Sequence, residues 1–289
     1  MVVQNRPTHH LLGEVVAWDL RQVSVAYVDV INALGRAKLD PDYAKALSAR
    51  SAWTRAARDL KESRQIDRLE QVGNRLRFQF THKSLSDVGV LDFTFEHHVE
   101  LDLTTGQVSC ATSPELESGA QALVDVAKGK RSAHDITRIV QQMFSEHADL
   151  FPVVPRKGVA YFVPTEHRAF TAKVEQFLQE LGGTLSRFPV PRGTQEGTRS
   201  VRETVDDGLK TMVEDLNLAV DGWDIKTKTS TIKKAQKDWE KIALKTEAYA
   251  NYLGSQQKGL TEKLAEARTR LRERMLEVEV SKLSSTPRK

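Results

Sequence analysis

One cysteine, Cys110, stands in 289 residues. A disulfide scaffold needs several sulfurs, as does a thiolate-clustered zinc or iron–sulfur site, so all three are excluded and a reducing, cytoplasmic setting is expected. No run approaches the roughly 20 apolar residues of a membrane-spanning helix. The opening MVVQNRPTHHLL also lacks the charged-then-apolar order of a signal peptide. The expectation is a soluble protein that is not secreted and has no membrane partner. No glycine loop ending in GK[ST], no G-x-G-x-x-G and no G-x-S-x-G occurs. Nucleotide hydrolysis, dinucleotide binding and serine-hydrolase chemistry are therefore without a signature. These absences point away from an enzyme, and no cofactor is expected.

The most informative absence is local. Residues 84–127 contain eight acidic side chains and no Lys or Arg. Residues 36–83, directly before them, hold 12 basic and 6 acidic side chains. The whole-chain charge of +4 conceals this division, which suggests two surfaces with different tasks.

In the basic stretch and just ahead of it, three helices are expected. Val23 to Leu34 has apolar residues at 23, 27, 30, 31 and 34, with Gly35 as a terminator. Asp40-Pro41 reads as an N-cap followed by proline at the first helical position, opening a short helix through Leu47. Ser48 or Ser51 caps a third helix whose stripe is Ala49, Trp53, Ala56, Ala57 and Leu60. Two alternating runs follow, Ile66–Gln71 and Arg75–Thr81, separated by Val72-Gly73-Asn74, a hairpin signal.

Three short helices and a hairpin are the order of elements in a winged helix-turn-helix domain, and residues 20–85 resemble that superfamily. The resemblance implies that the third helix contacts nucleic acid, DNA in the first instance, through Arg50, Ser51, Thr54, Arg55, Arg58 and Lys61. The wing would add Arg64, Arg68, Arg75 and Arg77 on phosphates. The competing expectation is that these arginines pair with Asp59, Glu62, Asp67 and Glu70 on the protein's own surface.

Leu91 to Cys110 alternates cleanly. Phe93, Phe95, His97, Val99, Leu101 and Leu103 share one face; Thr94, Glu96, His98, Glu100 and Asp102 share the other. With the turn Thr104-Thr105-Gly106 this reads as a second antiparallel pair with an acidic outer face. Glu96, His98 and Glu100, joined by Asp102 in a hydrolase reading, are the candidate metal ligands, and no second ligand-rich segment such as HExxH supports them. A metal-dependent hydrolase or nuclease is thus the least favoured reading. Cys110 is expected to be a buried structural thiol.

Residues 112–131 read as a partly helical connection. From 132 to 191 a Ser132/Asp135 capping box, a strand over 158–163, a helix capped by Thr165 and ended by Gly182-Gly183, and a strand over 184–190 suggest a small α/β layer. Pro189 to Thr198 marks a boundary. Beyond it Val201, Val205, Leu209, Met212, Val213, Leu216 and Val220 stripe one helix. A second helical run spans 223–280 with heptad-like spacing among Ile232, Trp239, Ile242, Tyr249, Leu253, Leu260, Leu264 and Leu271. It is compatible with a continuous helix or with a hairpin folded near Gly254–Gly259. Those eight residues are the expected self-association seam.

The expected fold is α+β. A winged-helix-like domain plus acidic hairpin covers 20–110, a small α/β domain 132–191 and a helical or coiled-coil arm 200–282, and residues 283–289 form a disordered tail. The expected function is non-enzymatic nucleic-acid binding with assembly through the arm, in a chain of prokaryotic or phage style. The alternative is an oligomeric scaffold or adaptor that binds other proteins.

Overall fold

The computed structural model describes residues 11–21, 23–61, 64–85, 91–154, 160–224, 226–253 and 258–284. The fold is mixed α and β, with antiparallel sheets and long C-terminal helices. Two compact units form, and they follow other lines than the expected segments. One takes residues 19–143 and 172–184; the other takes the described residues of 1–18, 144–171 and 185–289. The expected tail, 283–289, lies outside the residues whose side chains are described.

The first unit begins with β2 (Ser24–Ala26), which pairs antiparallel with β7 (Lys130–Ser132). Helix α1 (Tyr27–Arg36) starts four residues later than its apolar spacing suggests, because Ser24–Ala26 is claimed by that pairing. Val30, Ala33 and Leu34 are its buried face. Gly35 lies within the last turn. Lys38 takes the left-handed position instead (φ 57°), and the Leu39 N–H closes back on the Leu34 carbonyl. The Asp40 side chain caps the Asp42 N–H as expected, but the segment it opens is a single 3₁₀ turn, Pro41–Tyr43, rather than a helix to Leu47.

Helix α2 (Ala49–Asp59) is capped by Ser48, whose hydroxyl accepts the Ser51 N–H at 3.2 Å. Ala52, Trp53 and Ala56 recur at helical spacing and are all buried. They pack on a sheet of order β3-β4-β5-β6, made of β3 (Arg64–Val72), β4 (Arg75–Leu85), β5 (Leu91–Asp102) and β6 (Val108–Ser109). The Trp53 ring lies 4.8 Å from Phe78 and 6.3 Å from Phe80 between centroids. The β3–β4 turn uses Gly73 at φ 56°, as a tight hairpin requires. Helix α3 (Pro114–Gly129), capped by Ser113, adds Ala120 and Val124 to the same core, where Cys110 is also buried.

The two expected hairpins are therefore one sheet, because β5 pairs with β4 along its length. The faces of β5 also differ from strict alternation. Phe80 lies opposite His97 but Thr81 lies opposite Phe95, so Glu96 is an extra residue in β5. Such a bulge switches the side-chain alternation. Val99 and Leu101 point into the core, whereas Phe93 (56% exposed) and Phe95 (53%) are moved to the opposite face.

The second unit is built on β1 (Leu11–Asp19), a strand without an expectation from the sequence. Its sheet has the order β10-β1-β9-β8, with β8 (Phe151–Pro152), β9 (Tyr161–Pro164) and β10 (Thr184–Pro191); β9 is antiparallel to both β1 and β8. The strands expected over 158–163, of which 158 and 159 lie outside the described residues, and over 184–190 correspond to β9 and β10, which flank β1. Most of α4 (Ala133–His147), which opens at the Ser132/Asp135 motif, and of α5 (Arg168–Glu180), which follows a 3₁₀ turn at Thr165–His167, belongs to the first unit. Buried Glu14 on β1 is held by two Arg187 hydrogen bonds from β10, at 2.8 and 3.0 Å.

Against β1, β8 and β9 pack α6 (Gln195–Asp221), α7 (Thr229–Leu253) and α8 (Lys258–Ser284). Gly208 in α6 is there for space: a Cβ would stand 2.7 Å from the Phe151 ring. The expected run over 223–280 is two helices that lie side by side. Trp239 Nε1 donates to the Leu264 carbonyl at 3.1 Å, and Gln236 reaches the Met275 sulfur.

Candidate nucleic-acid interface

The ten residues expected to meet nucleic acid divide sharply once their partners are known. Arg55 is engaged in a bidentate pair with Asp135 (2.8 and 2.5 Å), whose side chain is only 11% exposed. The same carboxylate accepts the Ser132 N–H and hydroxyl at the start of α4. Burial pushes the Asp135 pKa up, but the Arg55 and Ser132 hydrogen bonds outweigh it and the net shift is downward. Arg64 donates to Glu96 at 2.7 Å. Arg77 lies between Glu70 (2.8 Å) and Glu100 (2.8 and 3.0 Å), and Arg75 approaches Glu100 at 3.8 Å. Ser51 and Thr54 serve the helix itself. The first bonds the Ser48 cap, and the second donates to the Arg50 carbonyl.

Arg50, Arg58, Lys61 and Arg68 remain. Arg50 on α2 and Arg68 on β3 both donate to one atom, Gln71 Oε1, at 2.9 and 3.1 Å. The Gln71 amide is oriented by its own bond from Nε2 to the Gly73 carbonyl. Two guanidinium groups thus meet at a neutral oxygen, so neither charge is cancelled there. Along α2, Arg50, Thr54 and Arg58 are four residues apart, with Lys61 just past the helix end, and all four are exposed. Among the described residues neither Arg58 nor Lys61 is bonded to a carboxylate. The rigid donor forks of paired arginines suit phosphate oxygens. Gln71 had no charge to draw attention to it in the sequence. Its only signal is its place on the inner face of β3, opposite Leu76.

The candidate metal ligands do not converge. The bulge at Glu96 turns that carboxylate toward Arg64 and His82 (3.7 Å), whereas Glu100 faces Arg77 and the His98 ring lies tilted beside Phe95, with centroids 4.8 Å apart. Among the described residues no group of three or more His, Cys, Asp or Glu side chains could hold a metal ion. Beyond the bulge, Leu85, Leu91, Phe93 and Phe95 form an exposed apolar end to the β4–β5 ribbon.

The expected self-association seam is occupied within one chain. Ile232, Ile242, Tyr249, Leu260, Leu264 and Leu271 are buried in the core of the second unit, with Trp239 packed against it. Leu253 lies outside the residues whose side chains are described. The polar groups on α7 that are drawn inward find partners: Asp149 receives Lys245 and the Tyr249 hydroxyl (2.6 Å). At the start of α7 the pattern is opposite. Residues 225–237 hold Lys226, Lys228, Lys233, Lys234 and Lys237 with no acidic residue, and all five are exposed. Charge totals over residues 200–289 average this cluster away; a short window of one charge sign would have found it.

A model of the family of unknown function DUF6744 matches residues 11–282. No curated protein and no solved structure matches the chain. No helix among the described residues is long and apolar enough to cross a membrane.

Proposed function

The chain belongs to the DUF6744 family, whose function is unknown, so chemistry has to be read from the site; we propose that the protein binds the phosphate backbone of nucleic acid, without catalysis, through α2 and β3. The observation that carries this reading is the convergence of Arg50 and Arg68 on Gln71 Oε1. A phosphate oxygen replacing or joining that neutral acceptor gains two charge-assisted hydrogen bonds, and Arg58 and Lys61 extend the cationic edge along α2. The order α1, 3₁₀ turn, α2 and β3–β4 hairpin supports a winged-helix-like use of residues 20–85, with α2 as the contacting helix. Arg55, Arg64 and Arg77 are positioning residues in this reading, since each already holds a carboxylate.

The test is a salt titration of oligonucleotide binding by fluorescence anisotropy. Replacing Arg50 and Arg68 together by Gln is expected to lower the slope of log K against log salt by about 2 and to weaken binding roughly tenfold or more, whatever the base sequence. Unchanged affinity and slope would sink the reading.

A second reading, an assembling scaffold or adaptor, is favoured by the exposed Leu85, Leu91, Phe93 and Phe95, because a contiguous apolar end on a sheet ribbon marks a protein-contact surface. Assembly would then run through the ribbon rather than the C-terminal helices. Sedimentation of Phe93→Ser/Phe95→Ser against the parent decides it. A parent that remains a monomer at high concentration excludes the scaffold.

A further inference from the structure

The exposed lysines that open α7 belong to the second unit and take no part in the site just described. Lys226 and Lys228 lie in the loop before the helix, and Lys233, Lys234 and Lys237 in its first turns. The acidic residues that flank the segment in sequence are Asp224 and Asp238. Asp224 is held in the loop by the Lys226 N–H (3.0 Å) and the Thr227 hydroxyl (3.2 Å), so its carboxylate serves the turn. Among the described residues none of the five lysines forms an ion pair. Five like charges within 13 residues repel one another, a cost that a polyanion relieves by replacing many small counterions.

We propose that the segment Lys226–Lys237 is a second nucleic-acid contact that tracks the phosphate backbone by charge alone. The inference builds on the phosphate-binding reading but rests on different residues. An anionic membrane is the other large polyanion, and the helix argues against it. Surface-lying helices insert an apolar face beside their lysines. Here Ile232, Ala235, Ile242 and Tyr249 are buried in the core with α6 and α8, so the apolar face of α7 is already covered by the protein itself. Lysine is also suited to the task. Its compact, hydrated charge on a flexible stem follows an irregular backbone without demanding a fixed geometry.

The experiment compares the full chain, Lys233→Gln/Lys234→Gln/Lys237→Gln and Arg50→Gln/Arg68→Gln against single- and double-stranded oligonucleotides over a salt series. Vesicles of phosphatidylcholine with phosphatidylserine serve as the membrane probe. The lysine variant is expected to lower the salt slope for duplex by about 2 to 3, with a melting temperature no lower than the parent's, since neutralisation relieves the repulsion among the lysines. If the triple variant fails to fold, Lys226→Gln/Lys228→Gln in the loop is read instead, with an expected drop of about 2. Unchanged affinity and slope in the lysine variant, with a loss in the arginine variant, overturns this inference and leaves the earlier reading standing. The reverse pattern retains the lysine surface and removes the arginine pair. Parent protein that binds vesicles and no oligonucleotide, or neither probe, overturns both.

Discussion

The arginines of α2, β3 and β4 and the lysines that open α7 carry the same charge and meet opposite fates. Arg55, Arg64 and Arg77 each hold a carboxylate, two of them through more than one bond. Lys226, Lys228, Lys233, Lys234 and Lys237 are exposed along a segment without acidic residues. The planar fork of arginine rewards a fixed partner, and the acidic strand β5 is registered against β4 to supply it. Counting basic residues therefore misplaces the free charge. The richest basic segment spends arginines on carboxylates elsewhere in the protein, while the less conspicuous one keeps its charge available. Within the first segment, Arg50 and Arg68 are the exception because their shared partner is neutral.

Four measurements can break or sharpen this contrast. Asp135→Ala is expected to destabilise the protein most, by about 2–4 kcal/mol in denaturant unfolding, because it strands a half-buried Arg55 and removes the acceptor of the Ser132 N–H. Arg55→Met should cost clearly less, since it removes the charge together with its need for a partner. The same pair gives a pH dependence. The Asp135 pKa is lowered in the fold, so its contribution is complete above the ordinary Asp value of 3.8 and is lost as pH falls below it toward the lower folded value. The parent should lose more stability than Asp135→Asn over that acid range, and parallel curves would contradict the assignment. A double-mutant cycle on Arg77 and Glu100 should yield about 0.2–1 kcal/mol, shrinking in high salt, because both groups are partly exposed. Arg50→Gln/Arg68→Gln should change stability least, within about 0.5 kcal/mol, since only bonds to Gln71 are removed. A larger loss would mean that the pair is structural.

Local chemistry made much of the first unit legible. The Ser48 cap, the Trp53 and Ala56 spacing and the Gly73-Asn74 turn each act through residues a few positions away, and α2 and the β3–β4 hairpin stand where they imply. Non-local chemistry was not legible. The bulge at Glu96 depends on how β5 meets β4, and it moves Phe93 and Phe95 away from the face that alternation assigns them. Gly35 had the conventional composition for a helix stop, yet the left-handed position fell to Lys38 once the chain had to reach the Asp40 cap. At the candidate site the arginines were visible, but their partners Asp135 and Glu96 lie 80 and 32 residues away, and those distances decide which charges remain.

The pairing of β1 with β9 has a consequence for how the molecule is made. Gly13 lies opposite Pro164, so β1 waits for about 150 residues of synthesis before its neighbour exists. At roughly 5–20 residues per second that is on the order of 10–30 s. The core that receives Leu12 also includes Leu271 and Val278 on α8, so it cannot close until those residues have been made. The first unit, almost all of it contained in residues 19–143, can complete its sheet well before then. A nascent chain halted after that stretch should already protect β3–β6 from proteolysis while β1 remains cleavable, a window in which a chaperone would find Leu12 and Val16 uncovered.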